Sequence, residues 1–227
     1  MPRFAPSLLV ASLLCATPLW ADAPSQSTLA AAAQASFAAG THGEPYTVQA
    51  LLQGCGATEM GQACTFYAEG ARWIATVDGP SNPAALTLMA ALPVNAALLI
   101  SGDMISFGDI TVDAAVSTAA PDQPDAYAKL RALSQGDWVD SSDPKSALTI
   151  LGSEETASYA GEYLGTSVVT YSDSCPGTAT ADGPVVIKQM MGADPMDAPC
   201  YAILEITPDR MELSYIGRGN TLTYIRP

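Results

Sequence analysis

The sequence predicts a mainly β protein, α+β overall, in which a small antiparallel eight-stranded barrel fills the C-terminal half behind a module of helices and short strands. Three observations predict it. From residue 136 to the end, short runs alternate apolar and polar residues between turn dipeptides, which is the period of strands with one face in a core. Helical spacing is confined to 25–40, 45–55 and 127–133. An acidic, Pro-containing stretch from Ala119 to Asp125 separates the two regions and reads as a linker. The chain divides accordingly into a signal peptide (1–21), an N-terminal module of two helices and short strands (22–117), a linker with a short helix (118–133) and the barrel (134–227).

The first residues carry Arg3, an apolar Leu8 to Leu14 core and a small-residue exit at Pro18-Leu19-Trp20-Ala21. This is the pattern of a secretory signal peptide cut after Ala21. Cys15 is not a lipoprotein site, because Leu14 stands where Gly, Ala or Ser is needed. The expected location is periplasmic or secreted. Nothing else nears the ~18 consecutive apolar residues of a membrane span. Loss of Arg3 leaves the mature chain one unit more negative than −14. Residues 22–121 hold a single base, Arg72, so no basic patch exists for nucleic acid. Cysteines 55, 64, 175 and 200 remain, and an even count in an exported chain implies disulfides. Of the three pairings, the local one, Cys55–Cys64 with Cys175–Cys200, is expected.

Ser27 can cap a helix over 25–40 that Gly40 stops. Pro45, Val48, Leu51, Leu52 and Cys55 have helical spacing, so a second helix is expected there, ended by Gly54 and Gly56. The first disulfide would then close a loop over 56–63. Thr65–Ala68 and Arg72–Val77 form a hairpin about Glu69-Gly70-Ala71. Further strands are expected at Leu86–Leu92, Ala96–Ser101, Met104–Phe107 and Ile110–Val116, the last three separated by Gly102-Asp103 and Gly108-Asp109.

A helix from Tyr127 to Leu133 leads into Gly136-Asp137-Trp138, the first barrel strand. Strands follow at Ser146–Leu151, Thr156–Tyr163, Thr166–Ser172, Pro184–Met190, Tyr201–Thr207, Met211–Ile216 and Thr221–Arg226. If Leu222 and Tyr224 face inward, Arg226 does too, and Trp138 is its best aromatic partner. Gly136, Trp138 and Arg226 resemble the calycin (lipocalin-like) superfamily, in which a Gly-x-Trp enters the first strand and an Arg of the last packs over that Trp. The resemblance covers residues 124 to 227. It implies a barrel filled by its own side chains or holding one small ligand.

The chemistry is sparse. His42 is the sole histidine, and no nucleophile elbow, Walker loop or dinucleotide fingerprint occurs. Lys129, Lys145 and Lys188 have no serine placed beside them. Glu154-Glu155 reads as a solvated turn, and Asp103, Asp109 and Asp113 lack the dense spacing of a calcium loop. No enzyme, metal or cofactor is expected. Six of the tyrosines fall in the barrel region, and tyrosine suits a pocket wall. The sequence therefore points to a non-catalytic binding protein whose barrel holds a small apolar or aromatic ligand against Tyr159, Tyr215 and Tyr224. Gly136, Trp138 and Arg226 would close its end. The other reading is an inhibitor or partner of a secreted hydrolase, since small disulfide-bonded barrels resembling this one inhibit proteases or lysozyme.

Overall fold

The computed structural model describes residues 23–177, 183–191 and 198–227. The segment 1–21, expected to be a signal peptide, and most of the 191–199 loop lie outside the described residues. The first barrel is built from β1 (Glu44–Thr58), β2 (Gly61–Ala68), β3 (Ala71–Thr76), β4 (Ala97–Phe107) and β5 (Thr111–Pro121). They close in the order β1-β2-β3-β5-β4, with β3 and β5 parallel. This is a small closed five-stranded barrel with one parallel strand pair. Leu52, Phe66, Leu98, Ile100, Val112 and Val116 fill it. Helix α1 (Gln26–Ala32) packs on α2 (Pro83–Ala90), and α2 packs against the barrel.

Several expectations for this half are corrected. The helix over 25–40 ends at Ala32. The second helix is absent: residues 45–55 belong to β1, where Val48, Ala50 and Leu52 are buried in alternation and pair with both β4 and β2. The apolar residues there fit either period, and two neighbouring strands decide for extension. The stretch 86–92 is not a strand but the end of α2 and its cap. Asn82 accepts a hydrogen bond from Ala84 N–H, Pro83 opens the first turn, and Ala85, Leu86, Leu88 and Met89 are all buried. A helix buried on most sides carries no amphipathic period to read. The Cys55–Cys64 bridge closes no loop; it joins directly opposed residues of β1 and β2.

Gly102-Asp103 is likewise no turn. It lies inside a continuous β4, where a Cβ on Gly102 would sit 1.9 Å from Ala115 O. The stretch expected as linker begins as strand, with Ala119 and Ala120 paired to Ile100 and Leu99.

The second barrel follows α3 (Ala128–Ser134). Its strands are β6 (Gly136–Asp140), β7 (Ser146–Leu151), β8 (Glu154–Tyr159), β9 (Glu162–Ser172), β10 (Val185–Met190), β11 (Cys200–Ile206), β12 (Arg210–Tyr215) and β13 (Thr221–Ile225). Each pairs antiparallel with the next, and β13 returns to β6. The eight-stranded antiparallel barrel is as expected. One strand is redrawn: the run expected from Thr156 to Tyr163 is broken by a turn at Ala160-Gly161, both at positive φ. Trp138, Leu148, Ile150, Val169, Met211 and Leu213 form the core. The second disulfide, Cys175–Cys200, is present.

Candidate functional site

The end of the second barrel is closed by the Arg226 guanidinium, 3.6 Å from the centre of the buried Trp138 ring. Its Nε donates to Pro208 O (3.0 Å), Nη1 to Asp137 O (3.0 Å) and Nη2 to Leu133 O (3.2 Å). Trp138 Nε1 donates to Ser134 O at 2.7 Å, so the indole is held by α3. Gly136 has φ +94°, and a Cβ there would meet Arg226 Nη1 at 2.9 Å. These three residues stack into one plug, which is structural closure rather than a site.

The three tyrosines expected to line a pocket are not brought together. Tyr159 is 45 % exposed on the β8–β9 hairpin. Tyr215 packs tilted against Tyr201, ring centres 5.1 Å apart, under the Arg218 guanidinium. Tyr224 is buried in the core, where burial and then the Glu155 charge hold its phenol above the usual range.

Beside Tyr224 lies a pair that spacing did not disclose. Glu155, expected in a solvated turn, is 6 % exposed, and Lys188 is 7 % exposed; Lys188 Nζ is 2.6 Å from Glu155 Oε2. The contact is an ion pair whose angle departs from that of a hydrogen bond. The ammonium also lies 5.3 Å and 5.8 Å from the Tyr201 and Tyr224 rings. The alternation of β10 could have placed Lys188 with Val186 on the inner face. Its partner on β8 required the barrel.

A groove of about 710 Å³ runs between the barrels. The first barrel contributes Tyr46, Trp73, Met104, Phe107 and Ile110, and the second contributes Ile187 from its outer wall. Tyr46 and Trp73 are in ring contact at 4.7 Å, and Phe107 is 65 % exposed. The Tyr46 hydroxyl is buried with no hydrogen-bond partner among the described residues. Burial, then the charge of Asp103, pushes its pKa up. Sequence reading missed this groove, because its aromatics come from β1, β3 and the end of β4, which only the first barrel's topology brings together.

The remaining candidates separate. Asp103 is fully buried and accepts from Gly40 N–H and His42 N–H, each at 2.8 Å. Asp113 accepts from Ser106 Oγ, and no trio of potential metal ligands forms among the described residues. The His42 ring lies edge-on to Phe37 at 4.7 Å in an exposed loop. Glu154 opens β8 and accepts a hydrogen bond from the Tyr67 phenol of the other barrel at 2.5 Å. No protein-family model, curated protein or solved structure matches this chain.

Proposed function

We propose that this chain is an exported, non-catalytic binding protein for a small apolar or aromatic ligand, held between its two barrels. The observation that carries the reading is the groove: about 710 Å³, within the ~300–1,000 Å³ of ligand sites, lined by Tyr46, Trp73, Met104, Phe107 and Ile110. An open aromatic surface of this kind has a reason to stay uncovered only if something covers it. The site stands against the outer wall of the C-terminal barrel, not inside it, since the interior is occupied by its own core and the Glu155–Lys188 pair. Export is supported by the signal-type segment and by two disulfides. The calycin resemblance of that barrel is supported by its eight closed strands and by Arg226 over Trp138; a self-filled interior is one of the two states the resemblance implies.

The test uses N-phenyl-1-naphthylamine, a neutral aromatic probe, with native mass spectrometry of the exported protein. Probe fluorescence should rise on binding, and Phe107→Ala should weaken binding about tenfold, the loss expected for one aromatic wall. Absence of probe binding and of any non-covalent mass would reject the reading.

The second reading, a partner of a secreted protease or lysozyme, is favoured by another surface. Tyr163, Leu164 and Met190 are 68 %, 63 % and 51 % exposed, and Met190 of the neighbouring β10 lies beside Gly165 of β9. Inhibition of such a hydrolase that disappears in Leu164→Asp would support it.

A further inference from the structure

A second cavity, of about 250 Å³, shares Glu69, Gly70 and Thr170 with the groove, so the β2–β3 turn stands between the two. Gln49, the acidic Asp122 and Asp125, and Arg131 of α3 line it, opposite Ser153 and Tyr171 of the second barrel. Two of its polar side chains are almost wholly inaccessible: Arg131 is 5 % exposed and Ser153 3 %. A guanidinium carries five N–H donors. Arg131 commits one nitrogen, Nη2, to Asp125 Oδ2 at 2.6 Å, and its guanidinium carbon lies 5.8 Å from the Tyr171 ring centre. Among the described residues neither its Nε and Nη1 nor the Ser153 hydroxyl bonds to a protein group. These donors reach the cavity's accessible space rather than being sealed in protein, so a ligand that brings acceptors can meet them.

The charges around them restrict what can enter. One guanidinium stands among three carboxylates, Glu69, Asp122 and Asp125. A simple anion would be repelled by the acids, which outnumber a guanidinium that Asp125 already pairs, and a simple cation would bring no acceptor to the remaining guanidinium N–H groups. A molecule carrying both charges a few bonds apart satisfies both. We propose that this cavity binds a free α-amino acid, its carboxylate on Arg131 and Ser153 and its ammonium toward the acidic side. The volume lies just under the ~300 Å³ floor of drug-sized pockets, which suits so small a ligand. Tyr67 and Tyr171 supply ring surface for its side chain. The site meets the aromatic groove only at Glu69, Gly70 and Thr170, and none of the groove's aromatic residues lines it.

Calorimetric titration of the exported full chain with L-alanine, L-leucine, L-phenylalanine and L-lysine tests it. At least one should bind. The amide of that amino acid, which lacks the carboxylate, and its N-acetyl form, which lacks the ammonium, should each bind at least about tenfold more weakly. Arg131→Gln should remove binding and Ser153→Ala weaken it with circular dichroism unchanged, while Phe107→Ala leaves it as in the wild type. The derivative comparison needs no variant, so it stands if Arg131→Gln fails to fold. The proposal is overturned if no amino acid binds more tightly than about 1 mM, or if either blocked form binds as well as its parent.

Discussion

Arg226 shows how one side chain can hold several elements at once. Its guanidinium covers Trp138 and reaches carbonyls of α3, of β6 and of the β11–β12 turn. Arg226→Ala should lower stability by about 2 kcal/mol, the scale of a desolvated cation–π contact with its hydrogen bonds, and shift Trp138 emission; unchanged emission would show that the stack does not persist in solution. Gly136→Ala should act in the same direction, because the new Cβ meets the guanidinium at a positive φ. The Glu155–Lys188 pair makes a different prediction. Removing one partner alone strands a buried charge and should cost about 3–5 kcal/mol, whereas Glu155→Leu with Lys188→Met should be near neutral; urea unfolding of the two singles and the double would decide it. Asp103 links the first barrel to pH. Burial pushes its pKa up, but the N–H groups of His42 and Gly40 outweigh that, so the net shift is downward. Its contribution is therefore fully present above its unfolded pKa of about 4 and is lost as pH falls through the lower folded value. The stability gap between wild type and Asp103→Asn should be open at pH 7 and close in acid.

At the scale of elements, the strands are decided by what lies beside them. β1 pairs with β4 over residues 44–51 and with β2 over residues 51–58, and those pairings override a spacing that also fits a helix. The cross-strand Cys55–Cys64 bridge staples that hairpin across one residue pair. The Cys175–Cys200 bridge spans 25 residues and ties β11 to the chain beyond β9. By loop entropy it contributes about 3.5 kcal/mol. Replacing both cysteines by serine should lower the midpoint of urea unfolding for the second barrel, while the first barrel, stapled separately, keeps its own; a common shift of both would mean that the barrels unfold as one unit.

Across the whole molecule, the two barrels meet through few contacts. Gln53 donates to Leu151 O and accepts from Ser153 N–H, and Tyr67 donates to Glu154, beside which Arg72 lies at 3.6 Å. Among the described residues, a small buried apolar cluster of Tyr67, Ile110 and Val168 with Met191 joins them. An interface this polar is narrow support for a groove whose walls come from both sides. Gln53→Ala should therefore weaken probe binding in the groove severalfold without touching its lining, and hydrogen exchange at the Ser153 amide should rise. Unchanged exchange would mean that the barrels are held by other means.

Alternation and turn chemistry determined the second barrel nearly strand for strand, because an up-and-down meander pairs neighbours in sequence and each strand carries its own inward face. Gly136, Trp138 and Arg226 were legible for the same reason: their phases are set locally. The first barrel was not legible, since its closure joins β1 to β4 and β3 to β5 across intervening chain, and period alone cannot distinguish a strand buried by distant partners from a short helix. The candidate sites were hidden for a related reason. Tyr46, Trp73 and Phe107, like Arg131 and Ser153, acquire their meaning from burial and from neighbours far along the chain. Local sequence determined which residues face inward, whereas only the tertiary structure decided which inward groups find partners and which are left facing a cavity.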